Sequence, residues 1–156
     1  MIKLTRIDDR LVHGQVAFTW VPALGVNCLI VANDKVAKDE FLKMTLNLAK
    51  PAGTKLLVKS IAETVAFLND VKNDSLKILV LINNVKDAAT LATQVPEIKS
   101  INVGGLRLKE GAKLISKAVG VNEEDTIILR ELLSKGVELE IRQVPTDSKQ
   151  MVESLI

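Results

Sequence analysis

The sequence Leu-Lys-Ile-Leu-Val-Leu-Ile at residues 76–82 decides the fold, because it is apolar at every position except one. Successive side chains of a β-strand point to opposite faces of the sheet, so a strand that is apolar almost throughout is covered on both faces. Such strands are typical of parallel sheets, which carry helices on both sides. The segment therefore predicts a layered α/β fold.

The rest of the chain alternates between strand-like and helix-like segments, which extends this interpretation to both ends. Short apolar and β-branched runs predict strands at residues 2–6, 26–32, 55–59, 76–82, 100–103 and 137–144. Helical spacing predicts helices at residues 14–24, 35–49, 61–71, 87–94, 123–134 and 148–155. Residues 111–121 fit either a helix or a strand, including an antiparallel edge strand. Repeated βα units imply right-handed crossovers and an open, doubly wound, mainly parallel sheet in a single domain over residues 1–156.

Capping residues mark several of the expected helix ends. Asp34 is placed to cap the second helix. Ser60 and Glu63 form a capping-box pattern before the third helix. Asn122 precedes the acidic first turn of the fifth helix, and Gly136 suits a left-handed cap at its end.

The composition describes one ordinary globular domain. The chain has 156 residues, of which 47% are hydrophobic and 26% are charged, a mixture that supports a packed core and argues against disorder. The formal net charge of +2 is too small to indicate nucleic acid as a partner. Aromatic residues make up 3% of the chain and tyrosine is absent, so the sequence also lacks the stacking residues of a single-strand binder.

The cysteine content and the N-terminal sequence indicate a reducing compartment. The one cysteine, Cys28, lies in an apolar run, so it is interpreted as buried filler, and neither a disulfide framework nor a thiolate zinc site is expected. The first ten residues carry charges where a secretory signal has its apolar stretch, and no run approaches the roughly 18 apolar residues of a membrane span. We therefore expect a cytoplasmic protein.

Ligands of open α/β sheets bind beyond the carboxyl ends of the strands, so the residues that follow each strand are the candidates for a site. Polar or glycine-rich segments follow five strands, at residues 8–14, 33–34, 83–84, 104–105 and 146–148. Loops that only connect elements are similarly polar. Four of the five are therefore interpreted as plain connections.

The first of these loops differs because it contains His13, the only histidine of the chain, between a strand and the start of a helix. Gly14 permits an unusual backbone torsion and the close approach of a partner. The N–H groups of Gly14, Gln15 and Val16 would face an anion placed there. Imidazole can act as a nucleophile, as a base or as a metal ligand, so the residue alone does not select one chemistry.

Several chemistries lack the residues that they require. A zinc site needs further histidine or cysteine ligands, and the chain offers one of each. A serine hydrolase would need a nucleophile elbow, and no Gly-x-Ser-x-Gly occurs. The glycine patterns of dinucleotide-binding and P-loop proteins are also missing.

A histidine that carries a phosphoryl group requires fewer partners. Arg10 could contact the phosphoryl oxygens with two N–H groups, and Asp8 or Asp9 could orient Arg10 or the ring of His13. A polar connection with a surface ion pair of little energetic value fits the same residues. The residues alone leave both interpretations open. Trp20, on the following helix, is interpreted as a packing residue or, if exposed, as an anchor for a protein partner.

The segment Arg6-Ile-Asp-Asp-Arg-Leu-Val-His-Gly-Gln-Val16 closely resembles the active-site motif of the IIB component of the mannose/fructose/sorbose family of the bacterial phosphoenolpyruvate-dependent sugar phosphotransferase system. The resemblance continues in Trp20 and in residues 31–40, 98–105 and 136–148, and so covers essentially the whole chain. Val12 stands where isoleucine is common in the family, which is a conservative departure.

The resemblance implies a phosphoryl carrier. His13 would accept a phosphoryl group on Nδ1 from a phosphohistidine of the IIA component and pass it to a sugar imported by the membrane components IIC and IID. Arg10 would steady the phosphoryl group with Asp8 nearby, while Asp9, Gly14 and Gln15 are further candidates for binding or orienting it. The implied fold has about seven strands, helices on both faces and an antiparallel edge.

The same resemblance implies a cytoplasmic protein that associates with the membrane permease and uses no metal or other cofactor. We expect a transient docking surface around His13, with Trp20 or Phe18 contributing if exposed. A rival interpretation is a module on the same fold that binds a small phosphorylated molecule through His13 and Arg10 without forming a covalent bond. Neither the sugar nor the oligomeric state follows from the sequence.

Overall fold

A computed structural model describes residues 1–107 and 109–156 of the chain. The strands are β1 (Ile2–Asp8), β2 (Cys28–Ala32), β3 (Lys55–Lys59), β4 (Ile78–Ile82), β5 (Ser100–Gly105), β6 (Lys113–Ser116), β7 (Val119–Val121), β8 (Glu138–Ile141) and β9 (Gln150–Met151). The α-helices are α1 (Val21–Leu24), α2 (Glu40–Ala49), α3 (Ile61–Asn69), α4 (Val85–Gln94) and α5 (Glu123–Ser134). A π-helical segment, Val16–Trp20, leads into α1, and 3-10 turns lie at Val36–Lys38, Val71–Asn73 and Val152–Ser154.

The main sheet has seven strands in the order β3-β2-β4-β1-β5-β8-β9. Its neighbouring strands are parallel except at one edge, where β9 pairs antiparallel with β8. A separate antiparallel hairpin is formed by β6 and β7. The predicted α/β class, the mainly parallel sheet and the antiparallel edge are therefore confirmed.

The interior strand β4 is buried along its whole length, as its apolar sequence predicts. Ile78, Val80 and Ile82 belong to one buried apolar cluster, together with residues of α3, α4 and α5. Leu79 and Leu81 belong to the other, together with residues of α2 and of the first helical segment. Each such side chain contributes roughly 1.5–3 kcal/mol by leaving water, so β4 is a main source of the stability of the sheet.

The first helical segment widens into a π-turn because of a proline. Pro22 lacks a backbone N–H, and its ring would clash with the carbonyl group four residues earlier in a regular α-helix. Around it the Val21 N–H reaches back five residues to the Val16 carbonyl. The helix ends at Gly25, which has a left-handed φ of 65°. The prediction of a helix over residues 14–24 holds, with this irregularity inside it.

Three predicted capping residues are confirmed. The Ser60 hydroxyl accepts a hydrogen bond from the Glu63 N–H, and the Glu63 carboxylate accepts one from the Ser60 N–H. Asn122 caps α5 in the same reciprocal way with Asp125. Gly136 has a φ of 85° just past the end of α5.

The expected cap at Asp34 is wrong, because the predicted helix is split into a short turn and α2. Asp39 is the N-cap of α2 and accepts a hydrogen bond from the Leu42 N–H. Asn33 holds the preceding turn by accepting from the Val36 N–H. The Asp34 carboxylate instead accepts from the Ile61 N–H at the start of α3.

The predicted C-terminal helix over residues 148–155 is also wrong. Gln150–Met151 forms the short edge strand β9, and a 3-10 turn follows it at Val152–Ser154. An eight-residue helix is marginal by itself, whereas the free edge of β8 offers backbone hydrogen-bonding partners. The ambiguous residues 111–121 contain the β6–β7 hairpin, which lies outside the main sheet.

No helix within residues 1–107 and 109–156 is both long enough and apolar enough to cross a membrane.

Candidate functional site

The loop that contains His13 leaves the sheet at the carboxyl end of β1, between β4 and β5. The chain runs from β1 through β2 to the β3 edge, whereas the connections that follow β4 lead toward β5 and the opposite edge. Such a reversal opens a crevice at the carboxyl ends of the strands, which is where α/β sheets bind ligands. The topology therefore places the loop of the only histidine at the expected position of a site.

A tight turn shapes this loop. The Leu11 N–H donates to the Asp8 carbonyl at 3.0 Å, and Leu11 adopts a left-handed φ of 57°. A non-glycine residue in that region costs about 1–2 kcal/mol, and the burial of Leu11 and Val12 in the core offsets this strain. The unusual torsion expected at Gly14 therefore falls on Leu11, and Gly14 is an ordinary exposed residue at the start of the helix.

His13 is held by Asp8. The ring nitrogen Nε2 lies 2.8 Å from Asp8 Oδ2, and the carboxylate is fully buried while 14% of the His13 side chain is exposed. An ionised carboxylate only accepts hydrogen bonds, so Nε2 carries the hydrogen and the lone pair of the neutral ring is on Nδ1. The geometry therefore leaves Nδ1 as the nucleophilic atom.

Asp8 stays ionised in this buried position. Burial by itself would raise the pKa of Asp8, but the hydrogen bonds from His13 and from the Arg10 N–H and the charge of Arg6 outweigh it, so the pKa lies below its ordinary value. Arg6 donates to Asp8 Oδ2 from Nε at 3.3 Å and from Nη2 at 3.1 Å. The carboxylate is thus a fixed negative charge beside the imidazole.

Arg10 lies at the exposed side of the loop. Its backbone N–H donates to Asp8 Oδ1 at 3.0 Å, and its guanidinium Nε is 3.6 Å from the same oxygen. Half of its side chain, 52%, is exposed. The guanidinium is therefore anchored at its base and accessible to an anion that approaches from outside.

Asp9 does not orient His13. Its carboxylate oxygen Oδ2 accepts from the Arg107 backbone N–H at 2.7 Å and from Arg107 Nε at 2.9 Å. The Asp9 N–H also donates to the Gly105 carbonyl. Asp9 therefore ties the His13 loop to the loop after β5, and Asp8 is the carboxylate that contacts the ring.

The side chain of Gln15 makes a contact that the sequence analysis does not predict. Its side-chain oxygen accepts from Arg6 Nη2 at 3.0 Å, which directs the amide oxygen toward the buried guanidinium. The Ala17 N–H closes the first helical bond to the His13 carbonyl. The N–H groups of Gly14 and Gln15 therefore lie in the first turn of the helix that begins directly after His13.

Sequence reasoning missed a buried polar row beneath the loop. Arg6, Asn102 and Glu140 are in register on the adjacent strands β1, β5 and β8. Arg6 Nη1 donates to Asn102 Oδ1 at 2.7 Å, and Asn102 Nδ2 donates to Glu140 Oε1 at 3.1 Å. Each of the three is at most 1% exposed. Only the register of the three strands aligns these residues, so no local signal in the sequence reveals the row.

Gly104 and Gly105, interpreted as a plain connection, are part of the site. A Cβ atom at position 104 would lie 2.0 Å from Arg6 Cζ, so the guanidinium packs directly against the backbone there. A Cβ atom at position 105 would be 3.6 Å from Asp8 Oδ1. Only glycine at position 104 leaves space for Arg6 in this position.

Trp20 is a packing residue, in agreement with the first of its two interpretations. It is 1% exposed, and its indole Nε1 donates to the Gln143 carbonyl at 2.9 Å. The guanidinium carbons of Arg6 and Arg142 lie 5.3 and 5.0 Å from its ring centroid, which is cation–π distance. Phe18, in contrast, is 79% exposed one helical turn beyond Gly14. Cys28 is buried, and burial raises the pKa of its thiol.

A cleft of about 320 Å³ opens beside the loop. Its cationic lining residues are Arg10, Arg107 and Lys117, and the backbone of Gly104 and Gly105 forms part of its wall. Within residues 1–107 and 109–156, no group of three or more histidine, cysteine or carboxylate side chains could hold a metal ion. His13, with its lone pair on Nδ1, lies on the same loop as the cleft residue Arg10, and this arrangement suits nucleophilic attack by an imidazole near positive charge.

Comparison with known proteins gives consistent similarities. The family model described as PTS system sorbose subfamily IIB component matches residues 2–156. A probable phosphotransferase enzyme IIB component of Streptococcus pyogenes is 36% identical over 163 residues, which cover 100% of this chain and 99% of that protein. The mannose-specific EIIAB component of Escherichia coli is 36% identical over 156 residues, and this chain spans 48% of its length.

A similar fold is found in the crystal structure of the IIBSor domain of the sorbose permease from Klebsiella pneumoniae. The two chains are 34% identical and superpose with a TM-score of 0.93, over 99% of this chain and 94% of that chain. These similarities extend over nearly all of the sequence and include the segment that holds His13.

Proposed function

Because this chain belongs to the sorbose subfamily of IIB components of the sugar phosphotransferase system, which accept a phosphoryl group and transfer it to a sugar, we propose that His13 carries that group. One observation carries the proposal. The only histidine of the chain donates from Nε2 to a buried, ionised carboxylate and so presents the lone pair of Nδ1. The sequence resemblance likewise assigns the phosphoryl group to Nδ1.

The transfer is an in-line displacement. The lone pair of His13 Nδ1 attacks the phosphorus atom of a phosphohistidine, the donor N–P bond breaks, and its electron pair returns to the donor ring. His13 keeps the hydrogen on Nε2, so its phosphorylated ring gains positive charge. Asp8 stabilises that charge as the carboxylate of a catalytic triad stabilises its imidazolium. When a sugar hydroxyl attacks in turn, the electron pair returns to Nδ1 and the hydroxyl proton leaves to solvent.

Arg10 supplies the positive charge for the phosphoryl oxygens. Its half-exposed guanidinium is anchored by Asp8 at 3.6 Å and retains donors for an incoming anion. The N–H groups of Gly14 and Gln15 add the field of a helix start, which is worth only about 0.3–1 kcal/mol. We therefore assign the larger share of phosphoryl stabilisation to Arg10.

The donor is a IIA component, and the acceptor is a sugar presented by the membrane components IIC and IID. A IIA donor is supported by the Escherichia coli relative, a mannose-specific EIIAB component. Association with a permease is supported by the Klebsiella pneumoniae structure, an IIB domain of a sorbose permease. The proposed location is the cytoplasmic side of the membrane, against that permease.

The test is an intact-mass measurement. The protein and its His13→Ala variant are incubated with phosphoenolpyruvate, the general phosphotransferase proteins and the cognate IIA component. We expect one phosphoryl increment on the wild type only, lost on mild acid treatment as phosphohistidine requires. An increment on His13→Ala would overturn the assignment of His13. A folded wild type without an increment, beside fully phosphorylated IIA, would overturn the carrier function.

The second candidate function is the non-covalent binding of a small phosphorylated molecule. The observation in its favour is the cleft of about 320 Å³ lined by Arg10, Arg107 and Lys117. Calorimetric titration with a sugar phosphate, combined with the mass measurement, separates the two functions. Saturable binding without a covalent label would favour the binding module.

A further inference from the structure

We propose that the buried Arg6 is a positioning residue, which holds Asp8 so that His13 keeps its hydrogen on Nε2 and presents Nδ1. This inference rests on the proposed role of His13 as the phosphoryl carrier. Arg6 contacts Asp8 Oδ2 with Nε and Nη2, and the same oxygen accepts from His13 Nε2. Arg6 therefore acts through Asp8 and has no direct contact with the ring in this arrangement.

The guanidinium of Arg6 is immobilised on all sides. Nη1 donates to Asn102 Oδ1 at 2.7 Å and to the Arg142 carbonyl at 3.0 Å. Nη2 donates to Gln15 Oε1 at 3.0 Å and to the Gln143 carbonyl at 3.3 Å, besides its bond to Asp8. With these partners every nitrogen of the guanidinium has an acceptor, so the group has one orientation.

The side chains around Arg6 are themselves fixed. Glu140 Oε1 accepts from Asn102 Nδ2, which turns the oxygen of that amide toward Arg6. Glu140 also binds Arg142 with two bonds of 2.9 and 3.0 Å. Trp20 packs against both arginines and shares the Gln143 carbonyl with Arg6. The acceptors that orient Arg6 are therefore held rigidly, as a positioning role requires.

Packing alone does not account for a charge in this place. Burial lowers the pKa of Arg6, which reflects the cost of keeping a guanidinium away from water. Buried ion pairs often contribute no more stability than apolar side chains of the same volume. The backbone also makes space for the group at Gly104. An arrangement that requires a glycine and six hydrogen bonds to hold one charge beside Asp8 points to a role in orienting that carboxylate.

The consequence for His13 is a fixed tautomer. Two Arg6 donors and the Arg10 N–H hold the carboxylate so that Oδ2 faces the ring at 2.8 Å. If the hydrogen were on Nδ1, the lone pair of Nε2 would face a carboxylate lone pair at that distance, which is repulsive. Loss of Arg6 would let the carboxylate rotate and would allow both tautomers. Since only the Nε2–H tautomer has its nucleophilic lone pair on Nδ1, the rate of transfer would fall.

The test is the ¹⁵N spectrum of the imidazole, which reports the tautomer directly. The chain has one histidine, so the ring signals of the labelled protein belong to His13 alone. Arg6→Lys keeps the positive charge but loses the planar fork that spans Asp8 and Asn102. We expect one Nε2–H tautomer in the wild type. In Arg6→Lys we expect a mixture, with transfer slowed about 10-fold to 100-fold and the KM for phospho-IIA little changed.

Two further variants separate positioning from stability. Ile78→Ala removes packing from β4 without touching these hydrogen bonds, so it should keep the wild-type tautomer although it is less stable. Asn102→Ala keeps Arg6 and Asp8 and removes one acceptor of Arg6, so it should give a smaller tautomer shift in the same direction. Asn102→Ala also serves as the test if Arg6→Lys does not fold.

A wild-type tautomer in a folded Arg6→Lys protein would overturn the proposal, as would an equal tautomer shift in Ile78→Ala. The spectrum is recorded on the unphosphorylated protein and so does not depend on transfer. A tautomer that requires Arg6 in a protein that accepts no phosphoryl group would support the positioning and refute the carrier function. A protein that accepts the phosphoryl group but keeps the wild-type tautomer in Arg6→Lys would support the carrier function and refute the positioning role of Arg6.

Discussion

Two adjacent strands at the centre of the sheet, β4 and β1, differ in the kind of side chain that they bury. Every residue of β4 is buried and apolar, and its side chains divide between the two cores. The last four residues of β1 are equally buried, yet they include the charged residues Arg6 and Asp8. Strand β4 stabilises the fold, whereas β1 orients a reactive group.

The difference shows how the sheet separates stability from chemistry. Apolar burial is not directional, so the side chains of β4 can vary if their volume is kept. The charges of β1 depend on distances of about 3 Å to particular atoms, because a buried charge without its partner is costly. Substitutions in β4 should therefore change stability alone, and those around the β1 loop should change transfer.

The largest expected effect is at Asp8. This residue is an exception to the contrast between the two strands, because it contributes both to stability and to phosphoryl transfer. Asp8→Asn leaves the charge of Arg6 buried without the carboxylate that contacts it, so we expect about 3–5 kcal/mol of lost stability at neutral pH, together with slower transfer. Folded Asp8 has a pKa below its ordinary value, so its contribution is complete above about pH 4 and is lost as the pH falls through the folded pKa. Urea unfolding at neutral and at acidic pH measures the loss of stability and its dependence on pH.

The stability difference between wild type and Asp8→Asn should therefore narrow in acid. Asp39→Asn is the control, because Asp39 caps α2 on the exposed surface and has no contact with the Arg6 network. An equal loss of stability in both variants would contradict the assignment of a buried charge pair.

A smaller effect on stability, and none on transfer, is expected in β4. Ile78→Ala leaves a cavity at the end of the strand opposite the loop, which should cost about 2–5 kcal/mol in urea unfolding. The rate of phosphoryl transfer below the unfolding transition should equal that of the wild type. A slowed transfer in the fully folded variant would show that β4 is coupled to the loop and would remove the contrast between the strands.

The sequence predicts β4 and the overall fold well because both follow from side-chain periodicity. An apolar strand has the same meaning in many contexts, and the caps at Ser60 and Asn122 depend on neighbours three residues away. The predictions at Asp34 and at residues 148–155 were wrong because tertiary contacts decide those segments. Asp34 bonds to the start of α3, and the free edge of β8 recruits Gln150–Met151 as a strand.

The site shows a similar division. His13, Arg10 and Asp8 could be selected from local spacing and chemistry, and the structure brings them together. Asn102 and Glu140 could not, because their relation to Arg6 depends on the register of three strands that are distant in sequence. The strained residue was also missed, since nothing in the composition of the loop distinguishes Leu11 from Gly14 as the position of positive φ.

The next prediction concerns Arg10, whose substitution should change the rate of phosphoryl transfer but not the stability. Arg10→Ala keeps the nucleophile and removes the exposed guanidinium, so we expect transfer slowed about 100-fold, as for the loss of one transition-state donor, with an unchanged unfolding curve. Rapid-quench measurement of transfer from phospho-IIA checks this. Arg130→Ala, on the exposed face of α5, is the matched loss of charge and should leave the rate as it is. Wild-type rates in Arg10→Ala would remove Arg10 from the mechanism.

The smallest expected effect is on docking and concerns Phe18. This side chain is 79% exposed and lies one helical turn after Gly14, the residue that follows His13, so we expect a partner that reaches His13 to cover it. Aromatic side chains at the edge of a transient interface contribute modestly, so Phe18→Ala should raise the KM for phospho-IIA about threefold, while kcat and stability stay the same.

Phe41 on α2 provides the control for this last substitution, because it is a phenylalanine of similar exposure, 71%, outside the His13 loop. Phe41→Ala removes a phenylalanine of similar exposure from another element and leaves the residues of the His13 loop unchanged, so its KM should equal that of the wild type. If both variants raise KM equally, the effect comes from general surface hydrophobicity and the docking surface is not centred on His13. If only Phe18→Ala raises KM, the contrast between β4 and the β1 loop extends to the surface, where a side chain on the helix after His13 affects the encounter with phospho-IIA and one on α2 does not.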